Sequence, residues 1–126
     1  MSLSDWPPGR KTHGKGIIGT ESMAEFHITI FIAGEETAQA RRSVETLGRI
    51  LDEQLPGRYE LEVVDVIAHP ARAEKERILA TPTIVRQLPP PARRIIGEIA
   101  DPQRLLVGLN IDPTASPEAN GERHDR

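Results

Sequence analysis

The chain contains no cysteine, and its 126 residues include only one Trp, one Tyr and two Phe. The lack of cysteine excludes a disulfide scaffold, a thiol nucleophile, a zinc ribbon and a dithiol redox centre. It also fits the reducing cytoplasm, where we expect the protein to reside. No apolar run approaches the roughly twenty residues that a membrane span needs, and the N-terminus lacks the apolar stretch of a secretory signal. A formal net charge of -3 gives no general reason to bind nucleic acid.

Composition divides the chain into three parts. Residues 1–24 are rich in Gly, Pro, Ser and Lys and show no apolar periodicity, so we expect a disordered arm. Residues 112–126 are equally poor in apolar groups, and we expect a disordered tail. Residues 25–111 carry their apolar residues in organised segments and are predicted to form one domain.

Apolar periodicity predicts an α/β domain in which strands alternate with helices. Predicted strands cover Phe26–Ile32, Tyr59–Ile67, Thr83–Leu88 and Arg94–Gly97, and predicted helices cover Thr37 to about Gln54, His69 to about Leu79, and a last segment capped by Asp101. In the second strand, Leu61, Val63 and Ile67 are expected to point inward. Phe31 on the reverse side of the first strand indicates that both faces of the sheet are covered. The order β-α-β-α-β-β-α is that of the thioredoxin-like fold.

The sequence contains no complete motif for catalysis, nucleotide binding or metal binding. Residues 14–19 match the dinucleotide pattern GxGxxG, but no strand precedes them, and Gly16 occupies the place where a phosphate loop needs Ser or Thr. The four histidines are scattered without metal-ligand spacing. Asp65 is the one acid in the apolar run of residues 63–67, and it is expected to make a structural hydrogen bond. Catalysis is the alternative, although no second carboxylate or base accompanies it. We therefore predict a protein that is not an enzyme and that holds no cofactor and no metal.

Two proline-containing segments carry more information. Thr81-Pro82-Thr83 lies where thioredoxin-like proteins place a cis proline, although the helix start that would carry redox cysteines has none. The prolines of residues 89–91 stiffen a connection and remove backbone donors. Arg93 and Arg94 follow closely and indicate a site for acidic partner surfaces, with a solvated turn as the alternative.

These segments resemble the KaiB family of circadian clock proteins. The resemblance covers about residues 26–111. It is carried by Ile78-Leu79-Ala80-Thr81-Pro82-Thr83, by Leu88-Pro89-Pro90-Pro91-Ala92-Arg93-Arg94-Ile95-Ile96-Gly97, by Leu106-Val107-Gly108-Leu109, and by Ile32-Ala33-Gly34 and Val64-Asp65-Val66. The sensor domain of the clock-output histidine kinase is related, but the proline-arginine block is typical of the KaiB family itself.

The resemblance implies a non-enzymatic protein that binds the N-terminal ATPase ring of a KaiC-type hexamer and modulates its phosphorylation and ATPase cycle. KaiA and clock-output histidine kinases are further implied partners. The family is metamorphic, with a β-α-β-β-α-α-β resting fold in a tetramer or dimer and a thioredoxin-like binding fold. The second half, from about Ala68, would change structure. The alternatives are a thioredoxin-like sensor or adaptor acting on a histidine kinase or in stress response, and a thioredoxin-like enzyme, which the missing cysteines disfavour.

The resemblance also implies roles for individual residues. The implied partner-binding residues are Arg42, Arg77, Arg86, Arg93 and Arg94, and the implied fold-switch residues are Pro82, Pro89, Pro90, Pro91, Gly108 and Asn110. Asn110 replaces the aspartate that the family carries. Because Ala has a higher helix propensity than Gly, Gly108→Ala is expected to favour the fold in which residues 102–109 are helical.

Overall fold

The computed structural model describes residues 10–12 and 24–114. From residue 26 onward the elements follow the predicted order. They are β2 (Phe26–Ile32), α1 (Ala38–Gln54), β3 (Tyr59–Asp65), α2 (Pro70–Lys75), β4 (Thr83–Leu88), β5 (Arg93–Ile96) and α3 (Pro102–Gly108), preceded by β1 (Arg10–Thr12). This is the first of the two folds that the sequence left open.

The strands form one five-stranded sheet in the order β1-β3-β2-β4-β5. The strand β3 is parallel to β2 along the full length of both, whereas β4 is antiparallel to β2 and to β5. The strand β1 adds a parallel edge in which Arg10 lies opposite Glu60. The expected disordered arm therefore contains a three-residue strand. Residues 1–9 and 13–23 of that arm, and residues 115–126 of the predicted tail, lie outside the described residues.

The two faces of the sheet are packed very differently. Phe26, Ile28, Ile30 and Ile32 point to one side, where α1 and α3 complete a core of eighteen buried residues. On the other side only Phe31, Val64 and Val85 form a buried cluster, with Val66 and Ile78 partly buried against it. Both faces are covered, as predicted, but nearly all of the hydrophobic burial is on the face that carries α1.

Helix ends follow their sequence signals. The hydroxyl of Thr37 accepts a hydrogen bond from the backbone N–H of Ala40 at 3.1 Å, and Asp101 accepts one from Gln103 at 3.1 Å. The helix α3 ends in a Schellman motif, in which Asn110 donates to the Val107 carbonyl at 3.1 Å. Asn110 takes a φ of 55°, a left-handed conformation that Asn tolerates better than most residues.

Two predicted boundaries were too long. The strand β3 ends at Asp65, and Ile67, which was expected to point inward, is 69% exposed in the turn that follows. The helix α2 ends at Lys75 and has no buried residue. Among the helices in the described part of the chain, none is long and apolar enough to cross a membrane.

Candidate partner-binding site

A basic cleft of about 320 Å³ lies between the end of α2 and the strand β5. Its cations are Lys75, Arg77, Arg93 and Arg94, all of them exposed, and it is lined further by Glu76, Val85, Gln87 and Ala92. Three of the five predicted partner-binding residues therefore meet at one place. Sequence reasoning missed Lys75, because only the actual length of α2 brings that residue to the cleft.

Arg94 connects the two sides of the basic cleft, because it lies on β5 and binds the backbone that follows α2. Its Nη2 donates to the carbonyl of Glu76 at 2.8 Å, and its Nη1 donates to the carbonyl of Arg77 at 3.3 Å. These carbonyls lie at the C-terminus of α2, where a helix has unpaired acceptors and a partial negative charge. Arg94 is thus fixed in position by the cleft itself, although it is exposed.

Arg77 has an unusual backbone for its residue type. It follows α2 with a φ of 56°. Its backbone N–H donates to the Glu74 carbonyl at 3.1 Å, and the backbone N–H of Ile78 donates to the Ala73 carbonyl at 2.9 Å. This is a second Schellman motif, in which glycine is the usual residue at the left-handed position. An arginine there costs roughly 1–2 kcal/mol. Arg77 in this turn lines the basic cleft.

Arg42 is not part of this cluster. It is exposed on α1 and lines a separate cavity of about 190 Å³ with Glu98 and Ile99. Since α1 and α2 cover opposite faces of the sheet, Arg42 and the basic cleft lie on different sides of the molecule.

Arg86 does not lie where a partner-binding residue was expected. It is 4% exposed, because the alternation of β4 directs it to the same face as Ile84. Its Nε donates to the Leu109 carbonyl at 2.6 Å, and its Nη1 donates to the Pro89 carbonyl. Burial lowers the pKa of Arg86, and the charge of Arg93 lowers it further. In this fold Arg86 joins the end of α3 to the proline turn instead of facing a partner.

The predicted fold-switch prolines surround the strand β4. Pro82 is buried directly before it, and Pro89, Pro90 and Pro91 are exposed in the turn to β5. The peptide bonds Thr81-Pro82, Leu88-Pro89 and Pro90-Pro91 are all cis, which confirms the cis position expected before Thr83.

The expectation that Gly108→Ala favours the helical form conflicts with the packing of α3. A Cβ atom added to Gly108 would lie 2.5 Å from Cδ1 and 2.7 Å from Cγ1 of Ile95 on β5. Real Cβ contacts essentially never come this close, so Ile95 or the helix would have to move. Helix propensity and packing therefore act in opposite directions at this position.

Asp65 is a structural clamp between two loops. Its carboxylate accepts hydrogen bonds from the backbone N–H groups of Gly34 at 2.8 Å, Glu35 at 3.0 Å and Ile67 at 3.0 Å. Partial burial alone would raise its pKa, but these bonds, with one from Ala68, hold the pKa below its usual value. The bonds explain why an acid ends an apolar strand, as the sequence indicated.

Comparison with known proteins connects this fold to a family. The family model described as the KaiB domain matches residues 29–111. The circadian clock oscillator protein KaiB of Prochlorococcus marinus (strain MIT 9515) is 40% identical over 101 residues, which cover 79% of this chain and 93% of the relative. The protein of the same name from Microcystis aeruginosa (strain NIES-843) is 43% identical over 84 residues, 67% of this chain and 80% of the relative.

Solved structures give the fold independently. The N-terminal domain of SasA from Synechococcus elongatus has a TM-score of 0.57 at 19% identity, covering 77% of this chain and 94% of that domain. Chloroplastic thioredoxin z has a TM-score of 0.57 at 25% identity, covering 79% and 91%. The fold is therefore thioredoxin-like, as predicted. With the family model spanning the whole domain and relatives matching along most of their length, the chain belongs to the KaiB family of circadian clock proteins.

Proposed function

We propose that this chain is a non-enzymatic, cytoplasmic clock protein that binds the N-terminal ATPase ring of a KaiC-type hexamer and modulates its phosphorylation and ATPase cycle. Membership of the KaiB family supports this proposal. The observation that carries it is the basic cleft, where Lys75, Arg77 and Arg94 meet, with Arg93 at its edge.

The charge of the cleft favours an acidic partner. Among the described residues, Glu76 is the only acid that lines it, and the carboxylate of Glu76 already accepts hydrogen bonds from Arg72 at 3.3 Å and from Gln87 at 3.0 Å. The cations therefore face solvent with little internal compensation. Exposed guanidinium groups can form bidentate hydrogen bonds with carboxylates, and Arg94 is held in place before any partner arrives. We infer that acidic side chains of the ring occupy this cleft.

The proposed binding surface contains fewer residues than the resemblance implied. We exclude Arg86 from it, because its buried guanidinium already bonds two carbonyl groups. Arg42 stays a prediction for a second contact on the opposite side of the molecule. KaiA and clock-output histidine kinases stay proposed partners, and competition with each for the ring tests them.

We also propose that the part of the chain from about Ala68 exchanges with the resting fold of the family, in a tetramer or dimer. All five exposed large hydrophobic residues among the described residues lie in or next to this part, namely Ile67, Leu79, Leu88, Ile96 and Val107. The helix α2 within it contributes no buried residue. The helix α2 can therefore rearrange with little loss of burial, whereas Ile84, Leu105 and Leu109 are buried and would need new apolar contacts in the other fold.

Charge reversal in the basic cleft tests the proposed function. Lys75→Glu is expected to weaken capture of a KaiC-type ring by at least about tenfold, because a lost charged pair at an interface costs more than about 1.4 kcal/mol. Arg49→Glu, at an exposed position of α1, makes the same charge change away from the cleft and is expected to leave affinity unchanged. Equal losses in both variants, or no capture by the wild type, would contradict the proposal.

A further inference from the structure

The helix α2, which carries part of the basic cleft, is held on the sheet mainly by polar contacts. It spans only Pro70–Lys75, and none of its residues is buried. The apolar cluster beneath it has three buried residues, compared with eighteen on the opposite face. A six-residue helix is too short to be stable alone in water. The contacts that hold α2 therefore determine where the cations at its end lie.

A closed ring of five side chains makes these contacts. Its members are Thr29 on β2, Glu62 on β3, Arg72 on α2, Glu76 directly after α2 and Gln87 on β4. Arg72 donates to both carboxylate oxygens of Glu62, at 2.8 and 3.2 Å, and to Glu76 at 3.3 Å. Gln87 donates to Glu76 at 3.0 Å and to Thr29 at 3.4 Å, and Thr29 donates to Glu62 at 3.3 Å. We call this set the polar ring.

Arg72 is the centre of the polar ring. It is the only cation of the five and contacts both acids, and its guanidinium carbon lies 5.9 Å from the centre of the Phe31 ring. Hydrogen bonding to Glu62 raises its pKa, so it stays charged. Bidentate pairing of this kind fixes orientation as well as distance. Arg72 therefore ties the body of α2 to β3, while Arg94 binds the carbonyls that follow the helix.

Arg72 does not itself line the basic cleft. It lies one turn before Lys75 and Glu76 on the sheet side of α2, whereas Lys75 and Arg77 face the cleft from the end of the helix. We therefore expect a change at Arg72 to act on a partner in the cleft by moving these residues.

We propose that Arg72 is a positioning residue of the partner surface, which holds Lys75 and Arg77 in the basic cleft through the polar ring. The inference rests on the proposed function, since it assumes that the cleft binds an acidic surface. It extends that function to a residue outside the cleft and explains how a poorly buried helix can present charges in a fixed geometry.

The first test measures α2 directly and needs no partner. Amide hydrogen exchange of the full chain is followed at Glu76 and Ile78, whose N–H groups donate to the carbonyls of Arg72 and Ala73. In Arg72→Met, which keeps an apolar cover over Phe31, exchange there is expected to accelerate at least about tenfold, with α1 unchanged. Arg49→Met is the matched control. Unchanged exchange at Glu76 and Ile78 would overturn the inference.

The second test separates positioning from direct contact. Arg72→Met is expected to weaken capture of the KaiC-type ring by about fivefold or more. In a chain that already carries Lys75→Gln and Arg77→Gln, the same substitution is expected to change affinity by less than about twofold, because no positioned cations remain. Its effect on exchange is expected to persist in that background.

The outcomes keep the two proposals apart. A full additional loss of affinity in the Lys75→Gln, Arg77→Gln background would show that Arg72 touches the partner, which overturns the positioning role but not the proposed function. Faster exchange with unchanged affinity in Arg72→Met would also overturn that role. A wild-type chain that captures no ring would overturn the proposed function, and the positioning role with it.

Discussion

The two halves of this domain, residues 24–66 and residues 67–114, differ in the residues that form their left-handed turns and in how far their helices are buried. Left-handed backbone in residues 24–66 occurs at Gly34 and Gly57, whereas the later half uses Arg77 and Asn110 as well as Gly97. The helix α1 buries six residues, and α2 buries none. In the first half, glycine occupies the left-handed positions and the helix is buried. In the second half, Arg77 and Asn110 also occupy such positions, and α2 is not buried.

This difference indicates where small energies matter. A half that is held by burial loses stability only when large contacts are removed, because burial is the dominant favourable term. In the later half, α2 has no buried residue, so we expect single polar contacts to decide the position of that helix. That is the property expected of a segment that changes structure, and it also makes the partner surface adjustable.

The strongest contrast between the halves is expected from leucine truncation. Leu51 is fully buried in the core under α1, and Leu51→Ala is expected to cost about 2–5 kcal/mol of unfolding free energy. Leu79 is 91% exposed, and Leu79→Ala is expected to change that free energy by less than about 0.5 kcal/mol. Urea unfolding of both variants measures this. Comparable losses would mean that burial does not set the contributions of these two leucines.

A second variant tests packing against propensity inside the later half. Gly108→Ala gains up to about 1 kcal/mol of helix propensity, but the added Cβ overlaps Ile95, and overpacking typically costs about 1–3 kcal/mol. We expect this fold to be destabilised. The double variant Gly108→Ala, Ile95→Ala is expected to be less destabilised than the two single losses sum to. Denaturant unfolding gives both numbers, and a stabilised Gly108→Ala would refute the packing argument.

Exchanging the turn residues of the halves should give effects of opposite sign. An added Cβ at Gly57 meets nothing within 4 Å, so Gly57→Ala is opposed only by its φ of 72° and is expected to cost about 1 kcal/mol. Arg77→Gly relieves a left-handed arginine and is expected to gain about 0.5–1 kcal/mol. Thermal unfolding of the two single variants decides this. Two losses would mean that Arg77 is not strained.

The smallest effect is expected at the clamp that joins the halves. Because the folded-state pKa of Asp65 lies below its usual value of 3.8, its carboxylate stabilises the fold at higher pH. That contribution is full above about pH 5 and is lost as the pH falls through 3.8 toward the folded pKa. The stability difference between wild type and Asp65→Asn is therefore expected to shrink from pH 6 to pH 3, measured by denaturant unfolding. A constant or growing difference would contradict this reading.

Sequence patterns predicted the elements well because each has a local cause. Thr37 and Asp101 cap helices through their own side chains, and alternating apolar residues mark β2. The burial of Arg86 was also readable, since strand alternation places it beside Ile84 on the core face. Arg86 was instead assigned to partner binding, because the resemblance to the KaiB family places it at a basic binding position.

Other features have no local cause and could not be predicted. The polar ring joins Glu62 to Arg72 and Gln87 across three elements, and no spacing in the sequence reveals it. The contact between Gly108 and Ile95 depends on how closely α3 approaches β5. The early end of β3, which exposes Ile67, depends on the hydrogen bonds of Asp65. The early end of α2 depends on the turn at Arg77.

The central claim is that the partner binds at the basic cleft, and amide exchange of the full chain with and without a KaiC-type ring tests it most directly. The account predicts protection at residues 75–77 and 92–94, which line the cleft, and unchanged exchange at residues 49–54 at the end of α1. Protection confined to α1, with the cleft exchanging as in the free chain, would contradict it.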